Sequence, residues 1–179
     1  MSNNTDTEFD LLATTAIYLR EEIESNIDQW AGSQFEWIIS LPSATKGRFG
    51  KRLVESWCAS KGHTINPSGD SEADYIINGR RVVIKFSTLW KSEIYKFQQV
   101  RDQNYEFLIC LGVSPFQAHC WVISKRILID HVIGHTPQHL GSQGTDTFWI
   151  SVFPNDPDDW LLECGGSLRL ANEILSSLS

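Results

Sequence analysis

The sequence contains no apolar run long enough to cross a membrane, no CxxC pair, no internal repeat and no low-complexity tract. The first absence argues against a membrane-spanning chain. The first thirty residues carry acids and no uninterrupted apolar segment, so no signal peptide is expected. The four cysteines, Cys58, Cys110, Cys120 and Cys164, are widely spaced and lie in apolar surroundings. Buried thiols in a reducing cytoplasm are expected of them, in preference to a disulfide framework or a zinc site. Positive charge is also scarce. The chain has 15 Lys/Arg against 22 Asp/Glu, a net charge of −7, which on its face argues against a nucleic-acid partner.

The distribution of charge reverses that impression. Between Lys46 and Arg101 stand eleven Lys/Arg and five Asp/Glu, a balance of +6, and the rest of the chain carries −13. A basic middle on an acidic frame can focus a positive potential over one cleft. With 179 residues, 41% of them hydrophobic and seven of them Trp, the chain is expected to fold as one ordinary domain.

Periodicity assigns the elements. Phe9, Leu12, Ala16, Leu19, Ile23 and Ile27 fall at helical spacing. A short helix is expected before Pro42. A third follows from Thr45, its candidate N-cap, to the stop at Gly62, with Phe49, Leu53 and Trp57 as its apolar stripe. Asp74 to Ile77 and Arg81 to Phe86 read as strands joined by Asn78-Gly79, a strong hairpin signal. "SEIYKFQQVRDQ" reads as a helix packing Ile94, Phe97 and Val100 inward. "YEFLICLGV", "AHCWVIS" and "DTFWISVF" read as strands, Ile129 to Thr147 as a long loop, and "GGSLRLANEILSSL" as a final helix. The expected class is α/β or α+β, with three layers.

The hairpin carries the chemistry. A two-residue loop at Asn78-Gly79 sets Ile77 opposite Arg80 and Asp74 opposite Val83. Side chains alternate along a strand, so Asp74, Val83 and Lys85 share a face, with Glu72 beside them. Phosphodiester hydrolysis needs an activated water and neutralised phosphate charge, which a divalent metal on carboxylates can supply. Mg²⁺ is content with one or two carboxylates and oxygen ligands such as a backbone carbonyl. A cross-strand Glu72–Lys85 ion pair with an exposed Asp74 would be the plain structural alternative.

"AD…VVIKFS" resembles the PD-(D/E)XK nuclease superfamily, with Asp74 at the motif aspartate and Lys85 at the motif lysine. Upstream, "KGRFGKRLVE" resembles the KGxxG…E helix of the mismatch-repair endonuclease MutH and related type II restriction endonucleases. The resemblance covers residues 46–90. It implies a restriction-endonuclease-like fold over 1–179, with a central mixed sheet flanked by helices. It also implies Mg²⁺-dependent cleavage of double-stranded DNA at a specific site, by a monomer or a homodimer. Asp74, a displaced acid and the Ile84 carbonyl would then hold the metal, and Lys85 would position water or stabilise the phosphate.

Two positions depart from the pattern. Val83 stands where the motif carries its second acid. Val54 stands where the MutH-like helix carries its acid, with Glu55 one residue later; a one-residue shift turns a helical side chain by about 100°. Glu55, Glu72 and Glu93 are the substitutes, in that order. Lys91, Lys96, Gln98, Gln99 and Arg101 are candidate DNA contacts after the hairpin, as are Lys46, Arg48, Lys51 and Arg52 before it. His131, His135 and His139 have i, i+4 spacing, but Gly134 and Pro137 interrupt a helix, so loop histidines are expected there and not a zinc site. The rival functions are a DNA-binding module that has lost catalysis and a chain whose valine has replaced a native acid.

Overall fold

A computed structural model of the chain describes residues 9–17, 19–20, 29–138 and 146–178. Residues 9–17 and 19–20 are helical, and Phe9, Leu12 and Leu19 are exposed on that stretch. Ile23, Ile27 and His139 lie outside the described residues. The elements that follow are α1 (Glu36–Ile39), α2 (Ser43–Ser60), β1 (Ile65–Pro67), β2 (Tyr75–Ile77), β3 (Arg80–Thr88) and β4 (Tyr95–Val100). Then come β5 (Phe107–Val113), β6 (Ala118–Ser124), α3 (Lys125–His131), β7 (Phe148–Val152), α4 (Asp159–Leu162) and α5 (Leu168–Ser177).

Five strands form a mixed sheet in the order β1-β2-β3-β5-β6. Only the β3–β5 contact is parallel. Alternation along β3 divides the core in two. Val82 and Ile84 face one side, where Val54 and Cys58 of α2 and Ala171 and Leu175 of α5 cover them. Val83 faces the other side, which is covered by the two-stranded ribbon β4–β7 together with Leu128 of α3 and Leu161 of α4. The chain therefore has the three-layer α+β architecture expected, a central mixed sheet flanked by helices, with a β-ribbon sharing one flank. All four cysteines are free and buried. Burial pushes the thiols up, Cys58 to about 12 and Cys164 to about 11.

The hairpin has the expected register, with Ile77 paired to Arg80 and Tyr75 to Val82. Asn78 and Gly79 both take positive φ, 50° and 79°, as a two-residue turn between twisted strands requires. The Asn78 amide adds an anchor: Nδ2 donates to the Leu175 carbonyl at 2.9 Å and Oδ1 accepts from Thr64 N at 3.1 Å.

Four expectations are corrected. The segment read as a helix from Ser92 is the strand β4. Its inward residues Tyr95, Phe97 and Val100 are separated by two and then three positions, because a bulge lies between Phe97 and Val100. The extra residue imitates helical spacing. Helix α2 begins at Ser43 with Pro42, not Thr45, in the N-cap place. It buries Gly50, Val54 and Cys58, while Leu53 and Trp57 are only half-buried. The loop expected from Ile129 starts later, since Lys125–His131 is helical and capped by the Ser124 hydroxyl.

Candidate active site

Helix α2 and the hairpin meet along one seam. Gly50 lies against Phe86 so closely that a Cβ there would fall 2.2 Å from Phe86 Cβ. That approach brings the flank of α2 carrying Lys51 and Glu55, one turn apart, onto β2. Lys51 Nζ forms an ion pair with Asp74 Oδ1. One turn on, the Tyr75 hydroxyl donates to Glu55 Oε2 at 3.1 Å. Burial, and then the hydrogen bond to Glu55, raise the Tyr75 pKa.

Asp74 ends the paired part of β2. Its N–H donates to the Val82 carbonyl at 2.8 Å, and its Oδ2 accepts the next outward-facing amide of β3, Ile84 N, at 2.8 Å. The carboxylate thus replaces a missing strand partner. The N–H and carbonyl of one strand residue leave on the same edge, so the Ile84 carbonyl lies on the β2 side of β3, the side from which Asp74 reaches Ile84 N.

Lys85 projects from the same sheet face as Val83, which is buried in the core. Burial lowers the Lys85 pKa; Asp74 opposes that shift, while Lys51 and Arg101 add to it. Asp74, Lys85 and Lys51 line one small pocket, together with Glu72, Gln99 and Arg101. Glu72 is the acid that shares this pocket. Its Oε2 accepts from Asn104 N at 2.8 Å. Glu55 is turned to Tyr75 on the adjoining seam, and Glu93 sits exposed in the turn between β3 and β4. The Glu72–Lys85 pairing of the plain alternative gives way to Asp74 paired with Lys51.

The pocket opens into a larger cleft of ≈ 720 Å³. Among the described residues, five cationic side chains line it, Lys46, Arg48, Lys51, Lys85 and Lys96, and no acidic one does. Gln98 and Gln99 line it as well. Arg52 lies instead over the Phe49 ring at 5.8 Å, and Lys91 is exposed outside the lining. The partnership of Lys51 with Asp74 was hidden in the sequence, where Lys51 read only as a phosphate contact. Its position one turn before Glu55 was the available signal.

No family model matches the chain, and no curated protein matches it. Among solved structures it is similar to a bacterial homing endonuclease, I-Ssp6803I. The identity is 14% and the TM-score 0.49, over 76% of this chain and 95% of that one.

Among the described residues, no three His, Cys, Asp or Glu side chains cluster as metal ligands. The donors for Mg²⁺ are nonetheless adequate in kind. A carboxylate offers about four lone-pair sites, and each Asp74 oxygen accepts one bond from those named above. Asp74, Glu72 in the same pocket and the Ile84 carbonyl fit an ion that needs one or two carboxylates and otherwise keeps water and phosphate.

Proposed function

We propose that the chain is an endonuclease that hydrolyses phosphodiester bonds of double-stranded DNA in the presence of Mg²⁺, at a specific site, as type II restriction enzymes do. The observation that carries this reading is one continuous cavity. A carboxylate and a half-buried lysine sit at the bottom of a cleft lined, among the described residues, by five cations and no acid. The PD-(D/E)XK pattern of Asp74 and Lys85 in the sequence agrees with it.

Each residue has a task that follows from its place. Asp74, with Glu72 and the Ile84 carbonyl, would hold the ion, which when bound supplies a nucleophilic water and screens phosphate charge. Lys85 is held by its strand and partly desolvated, so it can donate to a non-bridging phosphate oxygen or orient the attacking water without first shedding a full hydration shell. Lys51 borders both the pocket and the cleft and can turn from Asp74 to a phosphate. Lys46, Arg48 and Lys96 hold the flanking backbone. Two copies on a symmetric site would cut both strands.

Supercoiled plasmid incubated with the chain, with and without Mg²⁺, tests this. The expected result is nicked and linear DNA only with the metal, discrete fragments after exhaustive digestion, and no product from Asp74→Asn. Retained DNA binding with no cleavage in any divalent metal would instead support a binding module that has lost catalysis, the reading that Val83 favours.

A further inference from the structure

Strand β4 carries an irregularity at the edge of the site. Up to Phe97 it alternates regularly, with Tyr95 and Phe97 fully buried and Lys96 facing out. Its pairing with β7 runs from Lys96↔Ser151 to Phe97↔Ile150 and then jumps to Val100↔Phe148. Gln98 and Gln99 therefore stand together opposite Trp149, as in a β-bulge. In an unbroken strand Gln99 would point into the core. Here Val100 takes that inward place, and both glutamines are exposed side by side.

The bulge costs free energy at Gln99, whose φ is +56°. For a residue with a Cβ, the left-handed conformation costs roughly 1–2 kcal/mol, and glycine would avoid that cost. The chain keeps a long amide side chain there all the same. The amide freed from the ladder is used as well: Gln99 N donates to Gln138 Oε1 at 2.8 Å, which fixes the bulge from the neighbouring loop. Lys96, on the same outer face, holds its ammonium 4.3 Å from the Trp90 ring centroid and 5.3 Å from that of Trp149.

The geometry points to Gln98 and Gln99 as the residues that read base edges, with the β4–β7 ribbon entering the major groove of duplex DNA. A two-stranded ribbon fits that groove, and a glutamine amide pairs bidentately with adenine N6 and N7. Both glutamines line the cationic cleft, and Gln99 also lines the pocket of Asp74 and Lys85. The bases read are thus those next to the phosphate to be cut. This rests on the endonuclease reading for its ligand, duplex DNA, and adds the sequence class: sites with adenine at the contacted positions.

The test is binding selection from a randomised duplex pool with the full chain, in EDTA and separately in Ca²⁺, followed by anisotropy titrations. The parent is expected to enrich sites with A·T pairs at fixed positions. Gln98→Ala and Gln99→Ala should each lower discrimination against a replaced A·T pair by roughly 5- to 150-fold, with little change on unrelated duplexes. Gln99→Gly permits the same backbone and should behave like Gln99→Ala, which separates the side chain from the curvature of the strand. Lys96→Ala should weaken every duplex alike. Melting curves check that each variant is folded. Unchanged discrimination in both alanine variants, or no sequence preference in either buffer, overturns the inference. If plasmid is still cut, only this assignment falls. Absence of all duplex binding removes it together with the endonuclease reading. Lost discrimination in a chain that cuts nothing upholds it and removes catalysis alone.

Discussion

Lys85 shows what the site costs the fold. Its ammonium is drawn out of water by burial, and Asp74, the nearby carboxylate that favours it, is shared with Lys51. A lysine whose folded pKa lies below its unfolded value of 10.5 binds fewer protons in the folded state across the interval between the two. Stability must then rise with pH over that interval, and the penalty is at its full size below it. Lys85→Met should accordingly raise stability at neutral pH by about 1 kcal/mol, within the usual gain from relieving a strained site. It should also slow plasmid cleavage by about 10²–10³-fold, the usual cost of losing one donor to developing charge. Urea denaturation of both proteins at several pH values checks the first part. The difference between them should shrink as the pH climbs toward 10.5, and because both share the same tyrosines, it isolates Lys85. A variant less stable than the parent at neutral pH would contradict the account.

At the scale of elements, the glycines of α2 do opposite things. Gly50 is the point at which the helix touches Phe86, and that contact sets the distance between Lys51 and Asp74. Gly47, one turn earlier, has nothing within 4 Å of where a Cβ would be. Gly50→Ala should destabilise by about 1–3 kcal/mol through overpacking, and move Lys51 off Asp74. Gly47→Ala should stabilise by up to about 1 kcal/mol through helix propensity alone. Denaturation midpoints with unchanged m-values would show both; equal effects would mean that the helix can slide on the sheet. The same two elements mark what the sequence could reveal. The hairpin was legible because its turn chemistry and alternation are local, and they put Ile77 opposite Arg80 unaided. The inward face of α2 was not. Leu53 and Trp57 look more apolar than Gly50, Val54 and Cys58, yet close approach to a sheet favours the smaller residues. Strand β4 imitates a helix in sequence because its bulge stretches a two-residue period to three, and for the same reason the pairing of Gln98 with Gln99 is visible only in the fold.

For the whole molecule, the net charge of −7 says little about the partner, because the charges are sorted in space. Arg80 and Arg81 of the basic middle are spent on Glu106 and Asp70, and Lys125 is spent on Asp102. Among the described residues the cleft keeps five cations, of which Lys51 is paired with Asp74. A polyanion that fills the cleft displaces counterions from its own phosphates, so log K should fall linearly with log salt, by about 0.9 per phosphate neutralised. With Lys85 committed at the bottom and Lys51 shared, a slope of roughly −3 to −5 is expected for duplex DNA despite the acidic surface. Removing Lys46, Arg48 or Lys96 singly should flatten it by about 1. Fluorescence anisotropy from low to moderate salt measures both. A flat dependence would mean that the −13 balance of the remaining chain cancels the cleft at the distance of the DNA, and that the field of the molecule follows its total charge and not the arrangement of its middle third.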